Sequence, residues 1–97
     1  MSEGLTLATF APLVGDVFQL ADGGGESLAL ELTRAREIPA TENAPREPFA
    51  LDFSGPADPV LPQSIYKLEH PRLGALDIFI VPVGGDASAT SYEAIFA

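Results

Sequence analysis

The sequence predicts an all-β fold: a small antiparallel six-stranded barrel or sandwich with a short N-terminal helix. Three observations lead there. Apolar and polar residues alternate with period two in one segment after another, as in Phe49–Ser54. Clusters of glycine and proline separate these segments. The chain of 97 residues also leaves no room for the long crossovers, about a dozen residues each, that parallel strands require. One domain, residues 1–97, is the expected organisation.

Leu5–Leu13 reads as a short helix or turn, capped by Thr6 or Thr9 and ended by Pro12 with Gly15. Its apolar residues Leu7, Phe10, Leu13 and Val14 recur at helical spacing, so one face can close over an end of the sheet. The first strand is Asp16–Ala21, with Phe18 and Leu20 on one side and Val17 and Gln19 on the other. Asp22-Gly23-Gly24-Gly25-Glu26 is a hairpin connection, because glycine reaches positive φ without steric cost. Ser27–Ile38 is rich in helix formers. Even so, Leu28, Leu30 and Leu32 alternate with Ala29, Glu31 and Thr33, and only a strand sets these leucines on one face. Residues Pro39–Pro48 form a loop.

Phe49, Leu51 and Phe53 define a third strand that Ser54-Gly55-Pro56 breaks, and a proline-rich connection follows as far as Pro62. Ser64–His70 is the fourth strand, with Tyr66 and Leu68 on one face. His70-Pro71-Arg72-Leu73-Gly74 is a tight turn in which proline presets φ and Gly74 supplies a left-handed residue. Ala75–Val83 is the fifth strand, Gly84-Gly85-Asp86 opens a loop, and Tyr92–Phe96 is the sixth strand.

The fifth strand breaks the pattern of its neighbours. Leu76, Ile78 and Ile80 lie on one side, and Phe79, Val81 and Val83 lie on the other, interrupted only by Asp77. A strand with one wet face should alternate apolar with polar. Either the helix or a long loop covers its second side, or an apolar patch is exposed and meets another subunit. Ile95 and Phe96 of the sixth strand extend such a patch. The candidate interface is therefore Phe79, Val81, Val83, Ile95 and Phe96.

Composition narrows the functions. Five Lys and Arg against fourteen Asp and Glu give a formal charge of −9, which repels phosphate backbones and anionic bilayers and so argues against nucleic-acid and membrane partners. With no cysteine there is no disulfide scaffold, thiolate zinc site or cysteine nucleophile. The first ten residues carry neither a basic n-region nor a long apolar stretch, so the expected location is the cytoplasm, with leaderless export compatible.

Chemistry-bearing motifs are sparse, and no enzyme activity and no cofactor are expected. A Ser–His–acid arrangement drawn from Ser54 or Ser64, His70, and Asp52 or Asp77 has no nucleophile elbow behind it. His70, the one histidine, is expected to bond backbone at its turn. Asp22, Glu26 and Asp86 lack the repeated carboxylates of a calcium loop, and Glu26 after the triple glycine would repel a phosphate. Arg34 and Arg36, two apart on a strand, are expected to pair with cross-strand acids.

The segments Pro48–Pro56, Leu61–Tyr66, His70–Gly74, Ile78–Gly84 and Tyr92–Phe96 occur in an order and spacing that resembles a family of short bacterial proteins carrying a domain-of-unknown-function label. The resemblance spans about Phe10 to the C-terminus. It brings no activity and no catalytic residues. Members of that family tend to sit beside genes for phage-tail-collar-like proteins, which implies an accessory or structural part in a tail-like or fibre-like assembly. Together with the two-sided apolar strand, the expectation is a non-enzymatic interaction module whose partner is protein, either a second copy in a homo-oligomer or a larger assembly. The alternative is a small-ligand or carbohydrate-binding barrel with Tyr66, Tyr92 and Phe79 lining its mouth.

Overall fold

The structure, a computed structural model, describes residues 6–21, 27–38, 48–58 and 60–96. A short helix α1 (Leu7–Phe10) runs into a 3₁₀ turn (Ala11–Leu13), followed by β1 (Val17–Ala21), β2 (Ser27–Glu37), β3 (Phe49–Gly55), β4 (Ser64–His70), β5 (Gly74–Gly85) and β6 (Thr90–Phe96). The strands form a closed antiparallel barrel in the order β1-β2-β3-β6-β5-β4, so the all-β class and six-strand count stand, and of barrel and sandwich the barrel is realised. The triple-glycine connection and most of the Pro39–Pro48 loop lie outside the described residues. The pairing Ala21↔Ser27 nevertheless joins β1 and β2 as a hairpin.

Period two decides what goes inside. Phe18, Leu20, Leu30, Leu32, Leu51, Phe53, Leu68, Ile80, Tyr92 and Ala94 are buried in one core. Packing at position 55 is close: a Cβ there would stand 2.6 Å from Leu30 Cδ2 and 3.3 Å from Tyr92 Cε2, so a larger residue would push the Leu30 side chain aside. Two bulges reset the alternation. In β2 the register shifts between Leu32 and Arg34, so Leu32 points in while Arg34 and Arg36 point out. In β5 it shifts between Pro82 and Gly84, leaving Val83 as the extra residue. Pro82 is tolerated because β5 has lost its β4 neighbour by then, the last pair being Ser64↔Ile80.

Different segments close the two ends of the barrel. At one end α1 drops Phe10 onto Phe49 and Phe96, with ring centroids 5.9 and 5.6 Å away, while Phe49 and Phe96 stack on each other at 4.7 Å. Thr6 and Thr9 both serve the cap, the Thr6 N–H donating to Thr9 Oγ1 at 3.1 Å. Pro12 does not end the helix as expected. It sits early in the 3₁₀ turn, where a missing N–H costs nothing. The chain is turned instead by Gly15, whose φ of +98° favours glycine.

At the other end the β3–β4 connection crosses the barrel mouth. Leu61 is buried there, its N–H donating to the Tyr92 hydroxyl at 2.9 Å. The Tyr66 hydroxyl donates to the Pro62 carbonyl at 2.6 Å, and the Thr90 hydroxyl donates to the Ala57 carbonyl at 3.3 Å. Burial, followed by the nearby Tyr92, raises the pKa of Tyr66.

The β5–β6 hairpin is longer than its sequence suggests. Gly84 and Gly85 remain in the strand, opposite Ser91 and Thr90, and the turn begins only at Asp86. Asp86 N–H donates to the Ala89 carbonyl at 2.8 Å. Its Oδ1 accepts the Ser88 hydroxyl at 2.7 Å, the Ser88 N–H at 2.8 Å and the Ala89 N–H at 3.1 Å. These donors, the Ser88 hydroxyl first, hold the Asp86 carboxyl below its ordinary pKa. A carboxyl with a lower pKa folded than unfolded stabilises the fold above the unfolded value, about 3.9, and that stabilisation disappears as pH falls through the folded value. Asp86→Asn is therefore expected to flatten the loss of stability below about pH 4, read as urea midpoints across an acid series. An unchanged acid slope would remove the assigned role.

Candidate interaction surface

With the interior filled by side chains, the functional question moves to the outer wall. Register assigns its rows. In the β4–β5 hairpin Ile65 is directly opposite Phe79. Between β5 and β6, Val81 is opposite Glu93, and between β6 and β3, Ile95 is opposite Ala50. The β5–β6 pairing ends at Val81↔Glu93, and two residues further along each strand Phe79 and Ile95 lie on the same outward side. The outer face of β4, β5 and β6 therefore carries Ile65, Phe79 and Ile95, and Ala50 of β3, opposite Ile95, is covered. These three side chains are open to solvent, with exposures of 66% for Ile65, 48% for Phe79 and 51% for Ile95.

Charged rows flank these apolar residues. On one side Lys67 is opposite Asp77. On the other, Glu93 and Asp52 are opposite each other and share Arg36. The Arg36 guanidinium forks onto Asp52, Nε to Oδ2 at 3.0 Å and Nη2 to Oδ1 at 3.2 Å, and Nη2 also donates to Glu93. The bond to Asp52 and then that to Glu93 raise the pKa of Arg36, fixing it as a cation. The sequence expectation for Arg36 thus holds, and the bond reaches one strand further than a cross-strand pair.

The five expected interface residues separate. Phe79, Val83 and Ile95 are exposed, Val83 on the β5 bulge, while Val81 is half-buried. Phe96 faces the other way. It shares the inward parity of Tyr92 and Ala94 and stacks on Phe49, so it belongs to the plugged end. Ile65 was not among the expected set, yet it is the most exposed of the three. A signal for it does exist in the sequence: a turn that closes His70 on Gly74 pairs residues whose numbers sum to the same value, which sets Ile65 against Phe79.

Tyr66, Tyr92 and Phe79 do not line one mouth. Tyr92 is buried with its hydroxyl bound to Leu61, Tyr66 is half-buried and tied to Pro62, and Phe79 is on the outer wall. An open depression of about 370 Å³ near that end is bounded by Ala57, Val60, Pro82, Gly84, Asp86 and Thr90, among others. No aromatic ring takes part.

His70 is buried at the end of β4. Its Nδ1 accepts the Arg72 N–H at 3.0 Å, as expected of a turn histidine. An accepting Nδ1 leaves the proton on Nε2, and that N–H donates to Asp16 Oδ2 at 2.9 Å. Both nitrogens are then engaged, and neither faces a serine. Among the described residues no three His, Asp or Glu side chains converge as metal ligands, and no helix is long and apolar enough to cross a membrane.

The order of strand and turn segments along the chain can now be set beside known families. A family model described as a domain of unknown function (DUF6916) matches residues 5–96. The chain belongs to this family. The match covers every element of the barrel, so the DUF6916 unit here is the whole plugged barrel rather than one hairpin of it. No curated protein and no solved structure matches the chain.

Proposed function

We propose that this DUF6916 domain is a non-enzymatic structural module that associates with a second copy of itself through the outer face of β4, β5 and β6, as part of a bacterial tail-like or fibre-like assembly. The set Ile65, Phe79 and Ile95 carries the proposal. Isolated exposed apolar residues are ordinary on a protein surface, but three on one face, bordered by charged rows, have the layout of an interface core with a polar rim. The set also suits self-pairing. A two-fold axis through its centre sets Phe79 against Phe79 and Ile65 against Ile95, which is the self-complementarity an isologous dimer needs. The bacterial and tail-like setting draws support from the family resemblance and its gene neighbourhood. The absence of chemistry draws support from His70, whose nitrogens are both engaged.

Light scattering on the purified chain tests this. The expected result is a particle heavier than the 10.2 kDa monomer, reduced to monomer by Phe79→Lys with an unchanged far-UV spectrum. A strict monomer at high concentration, or an oligomer untouched by both Phe79→Lys and Ile65→Lys, would overturn the proposal.

A further inference from the structure

The barrel is not closed evenly. β3 and β6 pair along the whole of Phe49–Gly55, and β4 and β5 along the whole of Ser64–His70. By contrast, among the described residues β1 pairs with β4 at two positions, Gln19↔Glu69 and Leu20↔Leu68. Adjacent antiparallel pairs alternate between hydrogen-bonded and non-hydrogen-bonded, so these two pairs include a single hydrogen-bonded one. Inside, Leu20 meets Leu68, which keeps the seam shut by apolar contact. Outside, an open depression of about 500 Å³ bounded by Gln19, Glu69, His70, Pro71, Gly74 and Ala75 brings solvent up to it.

A side-chain link across the seam joins Asp16 and His70. Asp16 immediately precedes β1, and His70 ends β4. The His70 Nε2–H reaches Asp16 Oδ2 at 2.9 Å, and the His70 ring lies 4.8 Å from that of Phe18, the second residue of β1. The Arg72 N–H holds the imidazole in the tautomer that makes this bond possible. The two partners differ in environment: the His70 side chain is 3% exposed and the Asp16 side chain 48%. A bond whose acceptor is in water is readily exchanged for one to solvent.

We infer that the β1–β4 seam is a gate, where the barrel opens locally while the rest stays folded, and that the Asp16–His70 bond is its latch. The inference is independent of the proposed association. Opening frees the edges of Val17–Ala21 and Ser64–His70 together and leaves the β4–β5–β6–β3 wall intact. Because Leu20 and Leu68 are uncovered in the process, the open form is a minor population.

Native-state hydrogen exchange measured by NMR tests this. Among Gln19, Leu20, Leu68 and Glu69, the amides directed across the seam should exchange faster than those of Phe49–Gly55. Asp16→Ala should accelerate the seam amides about tenfold or more while leaving the β3–β6 amides unchanged. The paired substitutions Gln19→Cys and Glu69→Cys should, when oxidised, slow seam exchange to the β3–β6 rate, and reduction should restore it. Equal protection at the seam and in β3–β6 in the native chain, or equal acceleration of both by Asp16→Ala, would overturn the gate.

Discussion

Phe10→Ala is expected to destabilise the protein by about 3–5 kcal/mol, the usual cost of deleting a buried aromatic ring. Phe10 is the one fully buried residue of α1, a helix of four residues. A helix so short has no stability of its own, because nucleation costs more than its few hydrogen bonds return. It is in place because Phe10 fills the gap over the Phe49–Phe96 stack. Removing the ring leaves that stack facing a void and releases the segment that covers it. Against the roughly 5–15 kcal/mol available to a domain, the loss is a large fraction. Urea denaturation should show a lower midpoint. If the helix also undocks in the folded state, the slope falls as well, since less new surface is exposed on unfolding. A loss below about 1 kcal/mol would show that the barrel end does not need its plug.

Tyr92→Ala is expected to cost at least as much, about 3–5 kcal/mol for the ring, with a further contribution from the bond it removes. Tyr92 is buried at the opposite end, packs against the notch left by Gly55, and accepts the Leu61 N–H through its hydroxyl. Tyr92→Phe separates the two parts. The ring stays, and the buried Leu61 N–H loses its acceptor, for an expected loss of about 1–3 kcal/mol. Thermal melts of the two variants should therefore fall in the order wild type, Phe, Ala. A Phe variant as stable as wild type would show that water replaces the hydroxyl and that the β3–β4 connection is held by Leu61 packing alone.

Much of this architecture is legible in the chain. Strand identity follows from period two because a residue's side of the sheet is fixed by its parity, so Phe18, Leu20, Leu51, Phe53 and Leu68 had to face one way. Gly74 was legible for a similar local reason: it adopts φ +75° at the β4–β5 turn. Where parity is interrupted, the reading fails. The bulge at Val83 keeps Gly84 and Gly85 in β5, and nothing in their composition marks them as strand. Ile95 and Phe96 look alike in sequence as adjacent apolar residues, whereas β6 turns Ile95 out and Phe96 in. His70 was legible as a turn residue but not as a link to Asp16, since 54 residues separate the partners.

The sequence alone determined the β class, the six strands, the buried side of most of them and the acidic, cysteine-free character of the surface. Those properties follow from local spacing and composition. Tertiary structure decided the order β1-β2-β3-β6-β5-β4, the bulges, the face that carries Ile65, Phe79 and Ile95, and the narrow seam between β1 and β4. Strand neighbours far apart in the chain are chosen by how the whole set of apolar faces closes on one core, and no window of the sequence contains that sum.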